Sequence, residues 1–206
     1  MALTTTTADT EMHPIEAAVS VSPKISEKPI PSFPHLSRDH FVLIDPTPYV
    51  GGPHKIGDLV AMRAAPLRPG WASRRIIYLF NDSENLHATA IPTSRAGALR
   101  EFNIIGRPTK PEAFGIVTGT EEGAFKELTA EVQAIIDSNM FELHKIITDY
   151  KIHGLVFTCS KDSLDGHPKW ASRAVSSMGQ DVIDYVTRCI YSMCIYQGDL
   201  RDGSVY

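Results

Sequence analysis

Between His40 and about Thr118 the chain carries short apolar runs, each ended by turn-forming residues, which is the pattern of strands rather than of helices. His40 to Ile44 stops at Asp45-Pro46, Asp58 to Arg63 stops before Pro66, and Arg75 to Phe80 stops at Asn81-Asp82. Leu86 to Ile91 and Ala113 to Thr118 are two further candidates, with Pro92, Pro108 and Pro111 punctuating the stretch between them. Short strands at roughly ten-residue spacing, with no helical period between them, predict an antiparallel sheet or a small barrel. The period then changes. Phe125, Leu128, Val132, Ile135, Ile136, Met140, Leu143, Ile146, Ile147 and Tyr150 recur at steps of three and four and predict a helix from about Glu121 to Tyr150. Thr118 or Thr120 is its expected cap, with Glu121 and Glu122 at the positive end of its dipole. Gly154 opens a short buried strand, Leu155 to Cys159, and a polar loop, Ser160 to His167, follows. Pro168 suits a first helical turn, and Val175, Met178, Val182, Val186, Ile190 and Met193 form a second apolar stripe that stops before Gly198. The C-terminal half therefore reads as two long amphipathic helices separated by a short strand.

Ahead of this, residues 1–38 are rich in Thr, Ser, Pro and Glu, and Pro14, Pro23, Pro29, Pro31 and Pro34 prevent a continuous helix or a paired strand. Such an arm is expected to be flexible or extended when the protein is alone, and able to dock on a partner as a strand or polyproline segment. About 165 residues remain, enough for one core, so the expected organisation is an arm, 1–38, and a single α+β domain, 39–206.

The chain has 206 residues, 43% hydrophobic and 21% charged, the composition of an ordinary globular protein. Twenty Lys and Arg against 24 Asp and Glu give a net charge of -4, so no broad positive field exists to hold a nucleic-acid backbone, and a dedicated duplex-DNA binder is disfavoured. No run approaches the roughly 18 to 20 apolar residues of a membrane span, and the N-terminus lacks a basic and then apolar leader. The expectation is a protein of the cytoplasm, the nucleus remaining open, with no membrane partner. Cys159, Cys189 and Cys194 lie on apolar segments and read as reduced thiols, and the eight histidines are scattered without a CxxC or HExxH pattern. Neither a metal nor a cofactor is expected.

The most informative stretch is Lys55-Ile56-Gly57-Asp58-Leu59-Val60, then Arg74-Arg75 through Phe80-Asn81-Asp82, then Ala90-Ile91-Pro92-Thr93-Ser94. In that order it resembles, over about residues 55–95, the MazF/PemK-type toxin ribonucleases, which are small SH3-like barrels. The resemblance implies an SH3-like barrel in the N-terminal half and metal-independent RNA cleavage carried by Arg74 and Thr93. A cation beside the phosphate and a polar group near the reacting hydroxyl are what such cleavage requires. Six arginines, Arg63, Arg68, Arg74, Arg75, Arg95 and Arg100, lie within residues 63–100. Of these, Arg63, Arg68, Arg75 and Arg95 are the candidate RNA- or anion-binding residues.

Other features favour ordinary structure. Cys159 with Ser160, Lys161 and His167 would need a helix N-terminus to activate its thiol, and an inert buried cysteine is the simpler reading. His144 and His153 read as structural, and Asp181, Asp184 and Arg188 as an exposed polar helix face. Gly51-Gly52 reads as a turn, and the helix expected after Gly115–Gly123 carries two glutamates that oppose an anion. Without a complete catalytic constellation, the leading expectation is a protein-interaction or scaffold module that associates with a protein partner or with itself. The alternatives are the ribonuclease, with RNA as ligand, and a self-assembling coat-like subunit whose arm reaches over a neighbour. The apolar end of the last helix, Cys189 to Tyr196, points to burial under another element or to a subunit contact, and self-association is expected under all three.

Overall fold

The fold is a computed structural model that describes residues 28–34, 41–45, 75–93, 95–170 and 177–196. In chain order the elements are β1 (Phe41–Asp45), β2 (Ile76–Ser83), a short helix α1 (Glu84–His87), a 3-10 segment (Arg95–Phe102), β3 (Ala113–Thr120) and β4 (Gly123–Ala124). Then come α2 (Ala130–Asp149), β5 (Gly154–Leu164), β6 (His167–Trp170), α3 (Gln180–Met193) and β7 (Ile195–Tyr196). The chain is α+β, with one mixed sheet in the order β4-β3-β2-β5-β1-β7 and β6 paired to β5.

The strand directions correct the expected antiparallel sheet or SH3-like barrel. β2 runs parallel to both β3 and β5, and β1 runs parallel to both β5 and β7. Among the described residues, antiparallel pairing is confined to β3 with β4 and β5 with β6. Parallel neighbours need a crossover of a dozen or more residues. Between β2 and β3 that crossover is α1 and the 3-10 segment, too short or too irregular to show a helical period. The expected strand Leu86–Ile91 falls in this crossover, while the one at Asp58–Arg63 lies outside the described residues. Burial on both faces explains why β2 and β3 read as continuous apolar runs rather than as alternating ones.

Two helix boundaries also move. Residues 121–129 are not helical, because Gly119 pairs with Ala124 and Thr120 with Gly123 across a tight hairpin in which Gly123 has φ +151°. α2 starts afterwards, capped by Thr129, whose Oγ1 accepts from the Val132 N–H at 3.2 Å. The loop expected at 160–167 is a second hairpin: β5 continues to Leu164, and Asp165 (φ +51°) and Gly166 (φ +83°) form the turn into β6. Pro168 therefore sits in β6, and α3 begins only at Gln180. On α3, Asp184 is not the exposed partner of Arg188. It is buried and bonded to Lys169 and Gln180, both at 2.8 Å, whereas Arg188 donates to the Lys28 carbonyl at 3.2 Å.

Strand alternation sorts the core into two faces. Ile77 and Leu79 of β2 join Phe114, Ile116, Leu155 and Phe157 beneath α2 and α3, while Tyr78 and Phe80 pack with Ala113, Val156 and Leu99 of the 3-10 segment. β2 pairs with β5 only from Ile76 to Tyr78, so the carboxyl ends of the two strands separate. Trp170 bridges them, its indole N–H on Asn81 at 2.8 Å and its ring 5.5 Å from Phe157. Residues 28–34 of the expected arm pack across α2 and α3.

Candidate functional site

Ligands of parallel sheets settle at the carboxyl ends of the strands, where the chain leaves the hydrogen-bonded ladder. At that end of β2 the register with β3 slips between Asp82 and Ser83. The Asp82 side chain is fully buried, and Arg100, whose side chain is 5% exposed, reaches it from the 3-10 segment. The Arg100 Nε–H donates to Asp82 Oδ1 at 2.7 Å, a second guanidinium nitrogen meets the same oxygen, and the Ser83 N–H adds a bond of 2.9 Å. A further Arg100 N–H donates to Thr93 Oγ1 at 2.8 Å.

Two glycines make room for this cluster. A Cβ on Gly115 would lie 2.4 Å from Asp82 Oδ2, and one on Gly97 would lie 2.0 Å from Thr93 Oγ1. Gly115→Ala is therefore expected to push Asp82 off its partners and to cost about 1 to 3 kcal/mol, the usual effect of overpacking. Urea unfolding measures it, and a loss below about 0.5 kcal/mol would mean that the carboxylate is not pressed against β3.

From α1, His87 Nδ1 faces Asp82 Oδ2 at 3.4 Å, and its Nε2 lies 3.0 Å from Glu142 Oε2. The Asp82 contact is an ion pair rather than an aligned hydrogen bond, since neither Asp82 Oδ2 nor His87 Nδ1 has a hydrogen-bond partner among the described residues. Burial works against charge on the imidazole, but the carboxylates of Asp82 and Glu142 outweigh it and hold the His87 pKa up at about 9. For Asp82, burial is likewise overcome, by His87 and Arg100, and its carboxyl stays below the ordinary value.

Asn139 on α2 adds a contrary contact. Its amide oxygen accepts from the Val117 N–H at 3.0 Å, and its NH2 donates to the Gly115 carbonyl at 3.3 Å, so the β3 backbone dictates which way the amide points. The same NH2 lies 3.1 Å from His87 Nε2, where a donor favours a lone pair on the ring nitrogen and opposes the imidazolium. Asn139 is buried and fixed, whereas the Glu142 side chain is 45% exposed. The proton on Nε2 thus depends on Glu142 staying in place.

His87, Asn139 and Glu142 line an open cleft of about 490 Å³, together with Glu84, Ala88, Val117, Glu131, Ala134, Ile135 and Ser138. Glu131, Ser138 and Glu142 share one face of α2 at steps of seven and four, and Glu84 comes from α1. Three carboxylates and one imidazolium leave the cleft negative. Among the described residues no three His, Cys, Asp or Glu side chains gather as metal ligands.

Of the residues singled out in the sequence, Arg63, Arg68 and Arg74 lie outside the described residues, as does the side chain of Arg95. Arg75 precedes β2 and donates to the Tyr150 carbonyl at 2.8 Å. At roughly 3.3 Å per residue this end of β2 is about 23 Å from Asp82, so Arg75 and Thr93 belong to opposite ends of the sheet. The cation on Thr93 is Arg100. Cys159 is buried within the β5 hairpin and does not precede a helix, while burial pushes the thiols of Cys189 and Cys194 up to about 12. His144 and His153 make backbone contacts, to the Pro34 carbonyl at 3.0 Å and, weakly, to the Arg75 N–H at 3.4 Å.

Asp82, His87, Asn139 and Glu142 carry little warning in the sequence. Asn81-Asp82 reads as a turn and His87 as part of a strand, and only Asn139, a polar residue inside the apolar stripe of α2, is out of place. Comparison of the chain with protein-family models, with curated proteins and with solved structures gives no match, so the function rests on this geometry.

Proposed function

We propose that the chain binds a small cationic ligand, of the amine or guanidine class, in the cleft beside β3, and that His87 releases a proton to solvent as the ligand binds. The observation that carries this reading is the imidazole held between buried Asp82 and half-exposed Glu142 on the wall of a cleft rimmed by Glu84, Glu131 and Glu142. A cation entering the cleft competes with His87 for the Glu142 carboxylate. Once Glu142 turns to the ligand, the Asn139 N–H is the remaining neighbour of Nε2 and favours its unprotonated form, so the His87 pKa falls toward the value that Asp82 alone sustains and a fraction of that proton leaves as the ligand arrives. Such coupling of cation uptake to proton release is the chemistry of a binding protein or of an acid–base enzyme acting on an amine.

Calorimetric titration with agmatine, spermidine and arginine methyl ester tests the reading, run in two buffers of different ionisation enthalpy so that proton release is counted. Saturable binding is expected for at least one of the three, with a fraction of a proton released per ligand and at least tenfold weaker binding in Glu142→Gln. No saturable binding at millimolar concentration, or equal binding by the Glu142→Gln protein, overturns it.

The interaction-module reading has support of a different kind in the segment packed on α2 and α3, considered next. RNA cleavage rests on the motif resemblance alone, and an acidic cleft repels a phosphate backbone. The coat-like alternative rests on the composition of the arm alone, because the apolar end of α3 expected at a subunit contact is buried in the chain's own core at Cys189, Ile190, Met193 and Cys194, and Ile195–Tyr196 leave the helix as β7.

A further inference from the structure

Residues 28–34, Lys-Pro-Ile-Pro-Ser-Phe-Pro, form no turn and pair with no strand, yet they are bonded along their length to α2 and α3. Gln133 donates to the Pro29 carbonyl at 3.2 Å, Arg188 to the Lys28 carbonyl at 3.2 Å and His144 to the Pro34 carbonyl at 3.0 Å, with the Tyr185 hydroxyl 3.4 Å from the Pro29 carbonyl. The Lys28 ammonium donates to the Leu128 carbonyl. Ile30 and Phe33 pack against the core, and the Phe33 ring lies 5.1 Å from Phe141 and stacks on His144 at 5.7 Å.

The spacing identifies the conformation. From Gln133 to His144 α2 advances about 17 Å at roughly 1.5 Å per residue. From Pro29 to Pro34 an extended polyproline-type segment covers about 16 Å at roughly 3.1 Å per residue. The segment therefore keeps step with the helix only if it is fully extended. In that conformation the carbonyls have no partners within the segment, and residues three apart, such as Ile30 and Phe33, project on the same side. Side-chain donors reading bare carbonyls and apolar seats for anchors three apart are the recognition mode of proline-rich peptides.

We propose that the groove between α2 and α3 is a recognition site for extended, proline-punctuated peptides with apolar anchors three residues apart, and that residues 28–34 are its resident ligand, bound in cis. Every contact named here joins residues separated by 100 or more positions, so the groove meets a peptide on another chain with the same chemistry. Phe141 is still 48% exposed beside Phe33, which leaves apolar surface for a bulkier anchor. This groove uses Gln133, Phe141 and His144, a different side of α2 from the cleft residues Glu131, Ser138 and Glu142, and the proposal stands apart from the cleft.

A fluorescent peptide carrying residues 26–36 tests it by anisotropy against the full chain. Tethering holds the resident segment at an effective concentration of order millimolar, so the wild type should bind the free peptide weakly. In the full chain with Ile30→Asp and Phe33→Asp the groove is vacated, and binding should tighten at least tenfold. A peptide bearing the same two aspartates should not bind. Circular dichroism checks that the double variant is folded, and Phe33→Ala alone should give a smaller gain in the same direction. A dimer of the wild type that grows with concentration and is dissociated by the peptide would overturn the assignment in cis, since a second copy would then donate the segment. Equal peptide affinity in wild type and folded variants, or equal binding of the aspartate peptide, overturns the proposal.

Discussion

Replacing Arg100 by methionine is expected to destabilise the protein by about 3 to 5 kcal/mol at pH 7, the usual cost of leaving one member of a buried ion pair without its partner. Methionine fills much of the volume of the arginine stem but supplies no donor. It removes the guanidinium from the fully buried Asp82 carboxylate together with the bond to Thr93, leaving that carboxylate only the Ser83 N–H and the His87 ion pair at 3.4 Å. The pH dependence separates this cause from simple loss of packing. In the wild type the carboxyl of Asp82 is held below its ordinary value, so its contribution is fully present above the unfolded pKa and is lost as pH falls through the folded one. Without Arg100 that carboxyl titrates higher, and the difference between the two proteins should shrink as the pH is lowered toward 4. Urea unfolding at pH 7 and pH 4.5 measures both. Adding Asp82→Asn to Arg100→Met should recover part of the loss, because a neutral amide is cheaper to bury than an unpaired carboxylate. A cost below 1 kcal/mol at pH 7 would place the pair in solvent-like surroundings, and the cluster could not then serve as a rigid wall for the cleft.

The buried faces of α2 and α3 are legible in the sequence because their period is a property of their own residues, although both helices begin later than that period suggests. Ile136, Met140, Leu143 and Ile147, like Val182, Val186 and Ile190, are predicted on the buried faces and are found there. Strand direction has no such local signature. Ile77 to Phe80 and Phe114 to Val117 are buried on both sides, which is the mark of central parallel strands, but a short apolar run looks the same in either direction. Asp165-Gly166 is a turn signal, yet Pro168 and the polar residues around it read equally as a loop and a helix start. The cleft is the least legible part. It joins β2, α1, β3 and the exposed face of α2, and a residue such as Glu142 on a solvated helix gives no sign that His87, 55 positions earlier, stands against it. Distance along the chain hides the pairing, and burial of Asp82 and Arg100 depends on glycines whose need for space appears only once β3 lies beside β2.

His87 should make the protein lose stability as the pH rises through a range in which few other groups titrate. Its pKa is raised from 6.5 to about 9, so the folded state keeps a proton that the unfolded chain releases. The stabilisation is then fully present below pH 6.5, falls by up to about 1.4 kcal/mol per pH unit above it, and is gone once the pH passes about 9. The imidazole is largely buried, and the total is on the order of 2 to 3 kcal/mol, the lower figure applying if the Asn139 amide competes effectively for Nε2. The readout belongs below about pH 8.5, because Cys189 and Cys194 are also raised by burial, and their ionisation in the unfolded chain adds a further loss at higher pH. Urea unfolding at half-unit steps from pH 6 to 8.5 should show the decline in the wild type and a nearly flat line in His87→Gln, which leaves the other seven histidines as they were. Glu142→Gln distinguishes the two carboxylates. Asp82 alone should keep the pKa raised but less so, and the decline should end at a lower pH. A flat wild-type profile would mean that Asn139 has won and that His87 is already neutral, in which case no proton would accompany a cation into the cleft, although Glu142 could still receive it.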